Sequence, residues 1–223
     1  RVGTTLLIPG NNETSFVEWD LHKSAAEGMK VINDAAWAAG WRIHRCAAMQ
    51  DKVFFFSSDR LAITVRENER YRPLDIPQEI ADKVNPEEES VLQSVIVEGE
   101  YIYFNLLGTN VIVVLDAREE TLRYFNTPVA MGRFDFMAMS SARESELFLI
   151  PARGNVFYIY HMKTRLVEEY GMELLCEKGE YHFRSLWSNG QDFCLLGLTE
   201  QGSSFLLYMH VSEWKQEVIS LDE

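Results

Sequence analysis

Short apolar segments recur along the chain at a nearly constant spacing. The five segments cover residues 5–9, 53–57, 101–105, 147–151 and 193–197. Their central residues lie 48, 48, 46 and 46 positions apart, and they are Leu7, Phe55, Tyr103, Leu149 and Leu195. A short apolar run bounded by turn residues is typical of a buried strand. The fixed period indicates that one structural unit is repeated.

Each apolar segment is predicted to be the second of four strands in its repeat. Turn residues follow it, then a second apolar strand and a more polar strand, and an alternating strand precedes every segment except the first. Four antiparallel strands in about 46 residues predict the blade of a β-propeller. We therefore expect an all-β propeller domain, or a fragment of one, with repeats at about 1–30, 42–77, 91–128, 134–172 and 181–221. An ordinary β-sandwich gives no reason for the period.

The first repeat is predicted to be an incomplete blade. Residues 1–4 leave no room for a strand ahead of the first apolar segment. An unpaired strand edge exposes backbone donors and acceptors and promotes association. We therefore expect either that the native protein is longer at its N-terminus, with a ring of five or more blades, or that a partner chain covers this edge.

Two links between repeats, 29–41 and 78–90, are longer than the others and are expected to hold all the helix. The first carries Trp37 and Trp41, which could stack on a sugar or peptide or could instead seal the end of a core. In the second, a helix is predicted from Gln78 to Lys83. The acidic run 87–89 there could bind a cation or a basic peptide, although such runs are usually solvated. Long loops on a rigid scaffold often carry function.

Charged residues in two of the predicted first strands are further candidates for ligand binding. Arg45 follows His44, and Arg184 lies two residues after His182. Side chains alternate along a strand, so some of them are expected to face a central channel, as ligand contacts or as solvated liners. The ligand-binding candidates are therefore Trp37, Trp41, Arg45, His182 and Arg184. Linear motifs of hydrolases, zinc proteases and nucleotide-binding proteins are absent, so catalytic residues are unknown and no metal or cofactor is predicted.

Composition narrows the choice of partner and compartment. The 223 residues carry 34 acidic and 21 basic side chains, a formal charge of −13 that disfavours nucleic acid. No apolar run approaches the roughly 20 residues that cross a bilayer. Three scattered cysteines do not form a disulfide framework, so we expect a cytoplasmic protein. Secretion stays an alternative, because the sequence begins without methionine.

The repeats resemble the blades of kelch-like and WD40-like propellers. The pairs Trp19-Asp20 and Leu115-Asp116 are similar to the dipeptide that ends a strand in WD repeats, and Arg66, His161 and His210 stand at that place in the other repeats. The double glycines of kelch units and the Gly-His pair of WD40 units are missing. The chain is most similar to divergent kelch-like propellers of bacterial genomes, a group without a uniform activity.

These observations favour a binding or scaffold module that presents a loop-rich face to a protein, peptide or glycan. The alternative is a carbohydrate-active hydrolase or lyase. Such an enzyme would use two carboxylates at the channel mouth, roughly 5 to 10 Å apart, as acid and base.

Overall fold

The computed structural model describes residues 5–9, 16–32, 43–49, 51–57, 59–68, 70–92, 94–128, 135–140, 142–143, 145–172 and 181–221. The chain divides into two compact units, Arg1–Phe125 and Asn126–Glu223. Trp37, Trp41 and much of the first long link lie outside the described residues.

The first unit contains three antiparallel sheets, which we number in chain order. The first sheet has β1 (Thr5–Pro9), β2 (Phe16–Asp20) and β3 (Met29–Ile32). The second sheet has β4 (Ile43–Met49), β5 (Lys52–Ser57), β6 (Ile63–Glu67) and β7 (Arg70–Pro73). The third sheet has β8 (Val95–Glu98), β9 (Tyr101–Asn105), β10 (Val111–Asp116) and β11 (Thr121–Asn126), which ends at the boundary between the units.

The second unit contains two more sheets. The fourth sheet has β12 (Phe136–Met139), β13 (Glu146–Ile150), β15 (Val156–His161) and β16 (Leu166–Gly171). The fifth sheet orders β14 (Arg153–Gly154), β17 (Tyr181–Ser188), β18 (Phe193–Leu198), β19 (Ser204–His210) and β20 (Lys215–Ser220).

The fold is an all-β propeller of antiparallel blades, as the period predicts. Strands that follow one another in the sequence are hydrogen-bonded neighbours in each sheet, apart from the short added strand β14 in the fifth. Among the described residues, the first sheet has three strands, and β1 pairs only with β2.

Both helices found in the described ranges are short, and one of them lies outside the predicted links. Helix α1 (Ala25–Gly28) precedes the 29–41 link, and Met29–Ile32 forms strand β3 instead of a helical segment. Because β3 pairs with β2 along its whole length, sheet pairing overrides the local helix-forming composition. Helix α2 (Gln78–Ala81) begins where predicted, and its Ile80 is fully buried among the apolar residues of the second and third sheets.

Each unit has an apolar core formed where neighbouring sheets pack face to face. In the first unit, the rings of Phe56 in the second sheet and Phe104 in the third lie 5.3 Å apart. In the second unit, the ring of Phe148 in the fourth sheet lies 5.1 Å from that of Phe193 in the fifth. All four side chains are buried.

Strand pairing fixes which residues are equivalent in the five repeats. In each repeat we compare the last residue of the third strand of the blade, which is β2 in the first sheet. These residues are Asp20, Glu67, Asp116, His161 and His210. Each of them pairs with a residue of the second strand. The paired residues are Thr5, Lys52, Tyr101, Glu146 and Asp192, and the Asp192 pairing extends the Phe193–Met209 register by one residue. Three residues further along each second strand, the equivalent residues are therefore Ile8, Phe55, Phe104, Leu149 and Leu195.

The predicted equivalence is therefore wrong by one residue in two repeats. Leu7 and Tyr103 do not correspond to Phe55, and a shift of one residue places a side chain on the opposite face of its sheet. Burial of Phe55, Tyr103, Leu149 and Leu195 is confirmed. The same pairing places Glu67, and not Arg66, at the strand-ending position that Asp116 occupies.

A residue with a left-handed backbone conformation recurs in the turn between the third and fourth strands of a blade. It stands four residues after the end of the third strand in the last three repeats, as Glu120, Arg165 and Trp214, each with a φ between 54° and 60°. The carboxylate of Glu120 contacts Lys52 and Arg72 of the second sheet, and Trp214 packs on Tyr170 of the fourth. At Glu120 and Trp214 this position therefore joins neighbouring sheets of the same unit.

Candidate functional site

A groove of about 580 Å³ lies on the fifth sheet. Its lining residues come from the last residues of β17, the β17–β18 turn, β18 and β19. They are Trp187, Ser188, Asn189, Asp192, Phe193, Cys194, Leu206, Tyr208 and His210. The groove therefore combines an apolar and aromatic floor with a polar rim.

Cross-strand pairing assembles the centre of the groove. Cys194 pairs with Trp187 on one side and with Tyr208 on the other, so the three side chains form one row across the sheet. Leu186 and Leu207, which neighbour this row, belong to the opposite face and pack against the core of the second unit. The row is thus on the face of the fifth sheet that points away from the fourth, and the Trp187 side chain is 53% exposed.

The same row in other sheets has a different composition. In the second sheet it is Ala47–Phe54–Val65, and in the fourth it is Ala138–Phe148–Ile159, all at most 4% exposed. Small residues at the first position allow two sheets to approach closely. The fifth sheet has tryptophan where those sheets have alanine, and this tryptophan is exposed, so the face combines an accessible aromatic side chain with the groove.

A histidine between two carboxylates borders the groove. Nδ1 of His210 lies 3.9 Å from Asp192, and Nε2 lies 3.6 Å from Glu217. The fourth sheet repeats this arrangement at equivalent positions, where His161 lies 3.3 Å from Glu146 and 3.4 Å from Glu168. The sequence placed both histidines only at the strand-ending position of the repeat, because their carboxylate partners come from a neighbouring strand and from the turn or strand before.

The two acid–histidine–acid arrangements differ in what surrounds them. In the fourth sheet, Nε of Arg143 lies 2.6 Å from Glu146, and its guanidinium lies 4.5 Å from the Trp214 ring centroid. In the fifth sheet, the turn ahead of Asp192 is three residues shorter and holds no arginine, and the amide oxygen of Asn189 in this turn accepts the N–H groups of Gln191 and Asp192. Across the described ranges, no lysine or arginine lies within 4 Å of Asp192 or Glu217.

The thiol of Cys194 and the hydroxyl of Tyr208, which both line the groove, have raised pKa values. Burial raises the pKa of the Cys194 thiol, which lies within hydrogen-bonding reach of the Tyr208 hydroxyl. The neighbouring Cys194 in turn raises the pKa of Tyr208, with a smaller contribution from Glu217. Both groups are therefore neutral at neutral pH, and they offer a ligand a thiol and a phenol.

The structure places three of the predicted site residues, and it brings two of them to the fifth sheet. His182 and Arg184 are on β17, the strand that ends in the groove, whereas Arg45 is an exposed residue of β4 in the other unit. Arg184 is the extra residue of a β-bulge, and His44 occupies the equivalent bulge in β4. Ligand binding by Arg45, His182 and Arg184 stays a prediction.

Two of the predicted residues lie on β17, the strand whose end lines the groove, and Trp187 was not among the predicted residues. An alignment of the repeats by strand register would have found it, because tryptophan stands where the second and fourth repeats have alanine. Within the described part of the chain, no group of three or more His, Cys, Asp or Glu residues is arranged to hold a metal ion. The same residues include no helix long and apolar enough to span a bilayer.

Comparisons with known proteins identify the fold and no closer relationship. No family model matches the chain, and no curated protein matches it. Among solved structures, hydrazine synthase of Kuenenia stuttgartiensis is similar with a TM-score of 0.64 and 13% identity over 99% of this chain. A chain of the mitotic checkpoint complex is similar with a TM-score of 0.58 and 11% identity, also over 99%. The chain spans 64% and 61% of the lengths of these two chains.

Proposed function

We propose that the protein is a binding module whose fifth sheet presents a ligand surface to a protein, peptide or glycan. The observation that carries the proposal is the groove on this sheet, with Trp187 exposed at a position where the second and fourth sheets bury alanine. Concave sites with aromatic walls and a few polar groups are typical of ligand binding. Exposed tryptophans often supply a large share of the binding free energy at interfaces.

Residues of the initial prediction extend this surface along the strand. His182 lies on the same face of β17 as Trp187, because Tyr181 and Phe183 pack into the core on the other face. Arg184 projects from the bulge between them. We include both residues in the proposed ligand surface, where they would contact the part of a ligand that extends beyond the groove.

We also propose that the protein is related to divergent kelch-like propellers and lies in the cytoplasm. Similarity to divergent kelch-like propellers is supported by turns at Asp20 and Asp116, whose carboxylates accept backbone N–H groups after the strand. A cytoplasmic location is supported by the free thiols of Cys46 and Cys194, which a reducing compartment preserves.

The test measures binding of the labelled protein to arrays of peptides and of glycans. Trp187→Ala should weaken binding of the selected ligands by roughly thirtyfold, the equivalent of about 2 kcal/mol for an interface tryptophan. Leu166→Ala is the matched control, since Leu166 is 62% exposed on the fourth sheet and outside the groove. If Trp187→Ala retains the wild-type affinities, the groove is not the ligand surface and the proposal fails.

A further inference from the structure

The fourth sheet shows which group fits next to an acid–histidine–acid arrangement of this kind. There Nη2 of Arg143 donates to Oε1 of Glu146 at 3.2 Å, and Nε of the same guanidinium lies 2.6 Å from Oε2 as an ion pair. The same guanidinium lies over the ring of Trp214. A carboxylate on one side and an indole on the other form a favourable site for arginine.

The fifth sheet has the same arrangement without the arginine. Asp192, His210 and Glu217 correspond in strand register to Glu146, His161 and Glu168. The shorter turn ahead of Asp192 holds no arginine, and the Asn189 side chain in it is bonded to the backbone of the turn. An indole is nevertheless present, because Trp187 lines the same groove as Asp192.

We infer that the groove binds an arginine side chain of a partner protein, with its guanidinium at Asp192 and its stem along Trp187 and Tyr208. This inference rests on the proposed function and names the chemistry of its ligand. Charge complementarity supports it. Asp192 lines the groove, and Glu217 lies beside the same histidine. Among the described residues, the imidazole of His210 is the only basic side chain within 4 Å of either carboxylate, and the whole chain has a charge of −13. Such a charge accelerates the approach of a basic partner.

The position of Asp192 allows a variant that removes charge and keeps the fold. Its Oδ1 accepts the N–H of Val211 at 2.9 Å, and an asparagine at this position retains that acceptor. Asp192→Asn therefore changes the charge of the rim without removing a backbone contact. Glu169→Gln is the matched control, because it removes one negative charge from an exposed position of the fourth sheet.

The experiment starts from a random peptide display library selected on the wild-type protein. Selected peptides that contain arginine are then synthesised with arginine, citrulline or glutamine at that position, and their dissociation constants are measured. Citrulline keeps the shape of the side chain and removes its charge, so it should bind about tenfold more weakly or worse. Asp192→Asn should abolish the difference between arginine and citrulline, and Glu169→Gln should preserve it.

Each other outcome has a defined meaning. Selected peptides that require Trp187 but lack arginine, or that bind equally well with citrulline, overturn the arginine site and leave the proposed function intact. A library from which no Trp187-dependent peptide emerges contradicts the arginine site, and the glycan array then decides the proposed function separately. If Asp192→Asn and Glu169→Gln behave alike, the acid–histidine–acid arrangement does not recognise the guanidinium, and the inference is wrong.

Discussion

Glu120 should stabilise the contact between the second and third sheets through its charge. Its Oε1 accepts from Nη2 of Arg72 at 2.6 Å and from Nζ of Lys52 at 2.7 Å, and the Glu120 side chain is only 16% exposed. The Arg72 guanidinium, followed by the Lys52 ammonium, lowers the pKa of Glu120 from 4.5 to about 2. We predict that Glu120→Gln destabilises the protein, because it leaves these cations without their shared carboxylate.

The expected loss in the free energy of unfolding follows from the difference in the pKa of Glu120 between the folded and unfolded states. One pKa unit corresponds to about 1.4 kcal/mol, so the shift sets an upper value of about 3.4 kcal/mol at neutral pH. Partial exposure screens the interaction, and we expect a loss of about 2 kcal/mol. Since the folded pKa is lowered, this stability is fully present above about pH 4.5 and is lost as the pH falls from there through about 2.

Urea denaturation of the wild type and of Glu120→Gln at pH values from 7 to 3.5 measures this effect. The difference in the free energy of unfolding should be constant down to about pH 5 and then decrease. Glu119→Gln is the control, because Glu119 is 67% exposed and its removal should change stability by less than about 0.5 kcal/mol. Equal effects of the two substitutions, or a difference that does not decrease with pH, would show that Glu120 is a solvated surface residue.

Two further substitutions test the packing of the second unit. Phe148→Ala should lower the free energy of unfolding by about 3 to 5 kcal/mol, because the ring is fully buried between the fourth and fifth sheets, and thermal melts beside the exposed control Leu166→Ala check this. Gly197→Ala should cost about 1 to 3 kcal/mol, because a methyl group there would lie 2.3 Å from the buried ring of Phe205. Gly171→Ala, with no atom within 4 Å of the added carbon, should be nearly neutral in the same melts, and equal shifts for both glycines would contradict the close approach at Gly197.

Much of the fold was predictable from the sequence because its signals are local. A short apolar run, a turn and a second apolar run form a hairpin through neighbouring residues, and the recurrence of this pattern predicted the five blades. The start of helix α2 at Gln78 was predictable for the same reason. The register between repeats was not, since apolar residues occupy both faces of the central strands. Tyr103 and Phe104 are both buried, so hydrophobicity does not show which of them corresponds to Phe55.

The candidate site depended on the tertiary structure. Trp187, Cys194 and Tyr208 become one row only through the pairing of β17, β18 and β19, and the carboxylates beside His210 come from a turn and from β20. By itself the sequence determined a series of repeated antiparallel blades, because strands and hairpins form from neighbouring residues. Only the tertiary structure decided that the fifth sheet presents an aromatic groove beside Asp192 and His210, because strand pairing and packing decide which side chains come together and stay exposed, and short segments carry no information about that.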